Sequence, residues 1–299
     1  MKRRDFLALS GAAGLTLGLP RPSFAASELM IGEARLITLS DGFLTLPGDF
    51  VLSAMDPAEA AKISTRFNLD PNSYTPPCNV TLWQDGDRNV LFDVGSGHDF
   101  MSSAGTLLEA LETQGLSPDD ITHVVFTHGH PDHLWGLLDE FDDPLFANAE
   151  FLIGQAEYDY WSNPDTVNSI GEARTTFAVG AARRLEVIAD QLTFLNDGEE
   201  PLPGITALLT PGHTPGHMAF VAGGRALITG DAISNNHVAF AVPGYASPSD
   251  QDPELAATTR TALLDQITAD NLAIVGFHLP GGGIGTVTRD GDGYTYVEG

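Results

Sequence analysis

The chain carries one cysteine, Cys78, in 299 residues. A lone cysteine excludes an intramolecular disulfide and any zinc site built on several thiolates. Cys78 itself reads as a small apolar residue buried in a strand. Positive charge is also scarce: 14 Lys and Arg stand against 40 Asp and Glu, for a formal net charge of −26. Phosphate recognition needs clustered Lys and Arg, so this balance argues against a nucleic-acid partner. It disfavours an anionic membrane surface on the same ground. The acidic excess favours solubility and suits a salty medium that screens self-repulsion. No apolar run reaches the roughly 20 residues needed to span a bilayer. With 42% hydrophobic and 18% charged residues, the composition is that of a globular chain rather than a disordered one.

The first 25 residues read as an export signal. Lys2-Arg3-Arg4-Asp5-Phe6-Leu7 is a basic start, and the apolar stretch from Phe6 to Leu19 is too short to cross a membrane. Ser23 and Ala25 place small residues at the −3 and −1 positions of a cleavage site. The Arg3-Arg4 pair followed by Phe6-Leu7 resembles a twin-arginine signal, a route that carries folded proteins and suits one that acquires metal in the cytoplasm. The expected location is the periplasm or the medium. Removal takes away four basic residues (Lys2, Arg3, Arg4, Arg21) and one acidic residue (Asp5), so the mature charge falls from −26 to −29.

Residues 26–299 read as one α/β domain. Leu29–Ser40 alternates like a strand, and Asp41-Gly42 reads as a hairpin turn into Phe43–Leu46. Further strands are expected at Asn79–Trp83, Asn89–Val94, Ile121–Phe126, Ile205–Leu209, Met218–Val221, Ala226–Thr229, Leu272–Phe277 and Tyr294–Val297. Helices are expected at Pro57–Thr65, Gln155–Trp161, Thr175–Ile188 and Asp252–Ala269, and Ser117-Pro118-Asp119-Asp120 has the form of a helix start. Val242–Pro253, rich in Pro, Gly, Ser and Asp, reads as a loop. Strands precede helices in both halves, which predicts a layered architecture.

The histidines carry the chemistry. Three of nine fall in Thr127-His128-Gly129-His130-Pro131-Asp132-His133, directly after the strand Ile121–Phe126. His213 follows a second apolar strand, Asp231 a third and His278 a fourth. Four strand ends that each deliver an imidazole or carboxylate point to a metal site, because imidazole is the commonest protein ligand of metals. His217 lies in the second half of the loop that carries His213 and reads as a supporting hydrogen-bond partner rather than a ligand. His98, His123 and His237 read as ordinary. Asp93 reads on its own as a turn cap.

His128-Gly129-His130-Pro131-Asp132-His133, with His213, Asp231 and His278 in that order, resembles the metallo-β-lactamase superfamily. The resemblance implies an αββα four-layer sandwich with two metals at one edge of its sheets. It implies that one metal takes His128, His130 and His213, and that the other takes Asp132, His133 and His278. Asp231 and a hydroxide would bridge the two. The resemblance also implies that Asp93 is an acceptor that supports the metal loop instead of a turn cap. Seven N and O ligands suit zinc, with Mn, Fe or Co as alternatives. Asp132 and Asp231 are the carboxylates given catalytic roles, Asp132 or a water as proton donor to the leaving group.

Within that superfamily, the commonest zinc β-lactamases carry a Cys in the second metal site, and no Cys stands near Asp231 in this sequence. Ile37–Gly42, Phe277–Gly285 and Gly291–Tyr294 resemble the methyl parathion hydrolases, with quorum-quenching lactonases nearby. That resemblance implies a small ester, lactone or organophosphate substrate and leaves a homodimer open. It also implies a pocket lined by Phe100, Trp161 and Phe177. Two other readings stay open: a mononuclear iron dioxygenase of the persulfide-oxidising kind, and a thioester hydrolase like glyoxalase II.

Overall fold

Most central strands of this chain are continuous apolar runs, and their alternating side chains feed two cores at once. A computed structural model describes residues 27–299; the export signal expected at residues 1–25 lies outside the described residues. The first sheet runs β1 (Glu28–Ile31), β2 (Ala34–Phe43), β3 (Pro77–Asp85), β4 (Arg88–Phe92), β5 (His123–Phe126), β6 (Glu150–Gly154) and β7 (Leu192–Leu195), in that order. It is antiparallel from β1 to β4 and parallel from β4 to β7. The second sheet contains β8 (Ile205–Leu209), β9 (Met218–Ala222), β10 (Ala226–Ile228), β11 (Ala273–Val275), β12 (Ile284–Asp290) and β13 (Gly293–Glu298), side by side in chain order. Only its β10–β11 pair is parallel.

The helices are α1 (Pro57–Phe67), α2 (Leu107–Thr113), α3 (Pro131–Leu134), α4 (Gln155–Ser162), α5 (Thr166–Ser169), α6 (Thr175–Ile188), α7 (Val238–Ala241) and α8 (Pro253–Asp270). In β4, Val90 and Phe92 enter the core between the sheets, and Leu91 enters the core shared with α2 and α6. In β10, Ala226 and Ile228 face the first sheet, and Leu227 packs with Leu263, Leu264 and Ile267 of α8. Phe92 and Phe220 meet across the sheets with ring centroids 5.1 Å apart. Sheets covered on both faces account for strands without polar alternation. The result is the αββα sandwich that the sequence resemblance implied, built as a single domain.

Local chemistry explains where the reading of the sequence held. Asp252 accepts from Leu255 N, Pro253 opens α8, and Asn271 closes it in the left-handed region at φ 53°. Residues 243–252 form neither helix nor strand.

Two readings need correction. The first hairpin turns at Gly32-Glu33, not at Asp41-Gly42, which lies inside β2 where its pairing with β3 shifts register. Asp41 is fully buried there and accepts from Ser96 N (2.7 Å) and Leu107 N (2.9 Å), which fixes the loop between β4 and α2. Burial pushes its carboxyl up to about 6 despite those bonds. Ser117-Pro118-Asp119-Asp120 closes its capping box but yields only one 3-10 turn, Pro118–Asp120, because β5 starts three residues later. Strands β6, β7 and β12 and helices α2, α3, α5 and α7 were not anticipated.

Candidate metal centre

Five loops meet where strands of both sheets end on one edge. Thr127–His130 follows β5 and runs into α3. Thr210–His217 joins β8 to β9, Thr229–Asp231 follows β10, and Gly276–His278 follows β11. The fifth is Asp93, directly after β4 and held at φ 66°. Asn79 of β3 bridges the sheets: its Nδ2 donates to Phe277 O (2.9 Å) and Leu279 O (2.8 Å), which pins the loop bearing His278. Gly230, at φ 47°, has no room for a side chain, since a Cβ would stand 2.7 Å from His217 Nε2.

The seven residues expected as ligands all arrive in this space, and all are buried. His128 Nε2, His130 Nδ1 and His213 Nε2 form one group, with 3.1 Å and 2.9 Å between neighbours. Asp132 Oδ2 stands 3.1 Å from His278 Nε2 and 3.6 Å from His133 Nε2. Asp231 lies between the two groups. Its Oδ2 is 3.4 Å from His213 Nε2 and 3.3 Å from His278 Nε2, and its Oδ1 is 3.3 Å from His133 Nε2.

Outward hydrogen bonds set which ring nitrogens hold protons. His133 Nδ1 donates to Asp93 Oδ2 (2.7 Å), His213 Nδ1 to Asp250 Oδ1 (2.9 Å) and His278 Nδ1 to Pro77 O (2.7 Å). Thr127 Oγ1 donates to Asp93 Oδ2 (2.7 Å) and so accepts from His128 Nδ1 (3.0 Å). With their Nδ1 protons held outside, these four rings turn Nε2 inward, the atom a metal would take in place of a proton.

Charge makes the same demand. Burial, then the neighbouring imidazoles, holds His128 well below the usual histidine range, and burial with His213 does the same for His130. On the other side burial also pulls His133 down, but Asp231, Asp132 and Asp93 outweigh it and push it up to about 10. His278 is raised well above its usual value against burial by Asp231 and Asp132. His133 Nε2 and Asp231 Oδ1 are buried and face each other at 3.3 Å without the alignment of a hydrogen bond. Two facing carboxylates and converging imidazole nitrogens, two of which only a neighbouring positive charge or proton satisfies, fit a pair of divalent cations.

Behind the clustered residues stand others that orient them. His217 gives its Nδ1 proton to Thr210 Oγ1 (2.8 Å), and its Nε2 accepts from Asp231 N (3.0 Å). It therefore positions Asp231 and does not join the cluster. His217→Ala is expected to weaken metal affinity about 10–100-fold, and His217→Gln, which offers Asp231 N another acceptor, to recover part of it. A metal titration of both variants checks this, and unchanged affinity in the alanine variant would remove His217 from the support.

Glu157 of α4 was missed by the sequence reading. It is fully buried, and its Oε1 accepts from Gly129 N (2.8 Å) and Trp161 Nε1 (2.6 Å). Its Oε2 accepts from Thr214 Oγ1 (2.7 Å) and Gly216 N (3.0 Å). One carboxylate thus clamps both histidine loops. Asp250, also missed, is buried between His213 and Arg260. Cys78 is buried in β3 as expected. Its Sγ also lies within 4.8 Å of ligand atoms of Asp132 and His278, which its position in the sequence did not signal.

A cavity of about 120 Å3 opens over the cluster, with His130, Asp132, His213, Asp231 and His278 among its lining. Leu44, Leu46, Phe50, Val51, Tyr74, Phe100 and Phe177 make an apolar wall. Phe100 and Phe177 stand where the pocket expectation put them, their rings 6.1 Å apart and edge-on. Trp161 does not line the cavity: it is fully buried behind His130, with its indole N–H held by Glu157. Arg174 is the one cationic side chain of the lining, and its Nη2 donates to Pro248 O and Ser249 O. His98 and His123 lie outside the cluster. His237 is buried against Phe67 and Tyr74, apart from the ligands.

The sequence profile described as the metallo-beta-lactamase superfamily matches residues 74–278, a span that holds all seven clustered residues. The chain belongs to that superfamily. Within it, the chain is 30% identical over 190 residues to metallo-beta-lactamase domain-containing protein 1 of Xenopus laevis, covering 62% of this chain and 65% of the relative. It is 26% identical over 154 residues to an N-acyl homoserine lactonase of a Bacillus species, covering 50% and 53%. Both alignments span less than two thirds of the relative's length. Among solved structures, the chain superposes on AidC, a dizinc quorum-quenching lactonase, with TM-score 0.85 and 24% identity over 92% of this chain and 97% of AidC. At that identity the likeness shows a shared fold.

Proposed function

We propose that this superfamily member is a hydrolase that uses two divalent metal ions, most simply zinc, to cleave ester or lactone bonds of small apolar substrates. The observation that carries the reading is the pair of buried ligand groups with Asp231 between them. His128, His130 and His213 would hold one ion, Asp132, His133 and His278 the other, with Asp231 shared. When bound, the ions supply a hydroxide nucleophile at neutral pH and stabilise the oxyanion that develops on the substrate. The chain's own residues supply orientation and proton transfer. The apolar wall takes up the acyl or aryl part of the substrate and excludes water from the reacting bond. The Asp132 carboxylate lines the same cavity and would carry a proton to the leaving oxygen. The lactonase relative and the AidC fold support a cyclic ester as substrate. The edge-on Phe100–Phe177 pair also suits an aryl leaving group, so phosphotriester cleavage belongs to the proposal.

Export is part of the same proposal and rests on residues 1–25. Protein recovered from the periplasm is expected to begin at Ala26 by intact mass. Assayed on a homoserine lactone, an aryl ester, a β-lactam, a thioester and methyl parathion, it is expected to hold two divalent ions and to favour the lactone or aryl ester. Chelation is expected to abolish turnover and zinc to restore it. One iron per chain with no hydrolysis would replace this reading with the oxygenase one. A preference for the thioester would move the substrate class to that of the glyoxalase II-like enzymes.

A further inference from the structure

We infer that Arg174 recognises a carboxylate carried by the substrate away from its scissile bond, so that the cavity takes a largely apolar ester with one anionic end. The inference rests on the two-ion hydrolase reading above and names the substrate class of that same site. It starts from the pairing of cations. Of the 14 Lys and Arg, ten fall in residues 27–299, against 39 of the 40 Asp and Glu. Eight of those ten stand in ion pairs with a carboxylate. The two exceptions among the described residues are Arg225, exposed in the turn between β9 and β10, and Arg174. Arg174 is half-buried and lines the cavity over the metal cluster. A guanidinium withdrawn from water is ordinarily matched by a carboxylate. In a chain so rich in carboxylates, a half-buried cation left without one inside a substrate cavity calls for an anion that arrives from outside.

The hydrogen bonds of the side chain leave room for that anion. Arg174 ends the 3-10 turn Glu172–Arg174 and precedes α6, one turn before Phe177 of the apolar wall. Its Nη2 donates to Pro248 O (3.1 Å) and Ser249 O (2.8 Å), which fixes the head group in place. Among the described residues no acceptor takes the protons of its Nε and Nη1. A carboxylate can accept there in a charge-assisted hydrogen bond. The other charged groups of the lining are Asp132 and Asp231, and both belong to the metal cluster, where bound cations would offset them. Arg174 then makes the cavity a positive recess in an acidic protein, which raises the local concentration of anions. The competing account is a tether. Arg174 would do no more than hold residues 243–252, the segment that carries Asp250 and through it His213.

Matched esters separate the two. Zinc-loaded protein is assayed on the mono-4-nitrophenyl esters of adipic and suberic acid, and on 4-nitrophenyl hexanoate and octanoate, which have the same chain lengths without the carboxylate. At the better-fitting length the carboxylate ester is expected to be preferred by at least about tenfold in kcat/KM, chiefly through KM. Arg174→Gln is expected to bring that ratio to about one or below, and Arg174→Lys, which keeps the charge, to retain part of it. The ratio is the readout because a displaced 243–252 segment slows charged and neutral esters alike. The corresponding anilides, bound and not cleaved, are expected to show the same preference in Kd by calorimetry. They decide by the same ratio if the centre cleaves only lactones. Hydrolysis of the esters by the wild-type protein without a preference for the carboxylate would overturn this inference and leave the hydrolase reading standing, whatever the variants do. A preference that survives in Arg174→Gln would also overturn it and assign Arg174 to the tether. Wild-type protein that cleaved neither these esters nor a homoserine lactone would overturn both.

Discussion

Asp231→Asn lowers kcat/KM by at least about 10³-fold and leaves the purified protein with no more than one tightly held divalent ion. The expectation follows from the position of this carboxylate. Its Oδ2 lies 3.4 Å from His213 Nε2 and 3.3 Å from His278 Nε2, and its Oδ1 3.3 Å from His133 Nε2, so it faces both ligand groups. Asparagine keeps the volume and leaves the backbone bond from residue 231 N to His217 Nε2 in place, so the fold has no reason to change. It removes the charge, however, and puts an N–H2 group where one oxygen stood. That N–H2 group then faces His133 Nε2, or His213 and His278 Nε2, where a carboxylate oxygen stood. A factor of 10³ corresponds to about 4 kcal/mol of lost transition-state stabilisation, a fair share of what a metal centre supplies. Metal content by elemental analysis and turnover on the best substrate of the panel are the readouts, with circular dichroism as the check on folding. Two ions and full turnover in the variant would take Asp231 out of the centre.

The seven clustered residues could be read from the sequence because each lies in a short segment directly after an apolar strand. A strand end fixes where the next residues go, and short loops leave them little freedom. Thus His128 to His133, His213, Asp231 and His278 were all visible as candidates. The residues that aim them were not. Asp250 and Glu157 are two of 40 acidic residues, and only the tertiary fold makes them buried acceptors. Asp41-Gly42 looked like a turn because turn chemistry is local, yet Asp41 serves two amides 55 and 66 positions away. Trp161 failed in the opposite sense. Its aromatic character suited a pocket wall, but α4 points it into the core, where a Cβ on Gly129 would stand 2.5 Å from its Nε1. Cys78 was read correctly as buried in a strand, and nothing in its neighbours along the chain revealed the imidazole and carboxylate beside it.

Glu157→Ala is expected to destabilise the metal-free protein by about 3–5 kcal/mol, the cost of breaking a buried charged network by removing one partner. Four donors converge on this one side chain, at 2.6–3.0 Å: Trp161 Nε1, Thr214 Oγ1, Gly129 N and Gly216 N. Burial raises its carboxyl, and those hydrogen bonds work against the rise. Truncation leaves the donors without an acceptor in a region closed to solvent, at about 1–3 kcal/mol for each one that stays unpaired. The costs do not sum, since relaxation of the loops re-pairs some of them. At roughly 2–4 °C per kcal/mol for a domain of this size, the midpoint falls by about 10 °C. Glu157→Gln lands between, because its amide still accepts on one side and opposes two donors on the other. Thermal melts belong on metal-free protein, where ligand binding adds nothing to the midpoint. Metal then separates a merely structural residue from one that organises the centre. Gly129 stands between His128 and His130, and Thr214 and Gly216 lie in the loop of His213, so the Glu157 clamp sets the distance between the two loops that supply one imidazole trio. Zinc affinity is therefore expected to fall with stability in Glu157→Ala. A variant with the lowered midpoint but unchanged zinc affinity would confine Glu157 to the core, and one with an unchanged midpoint would refute the clamp itself.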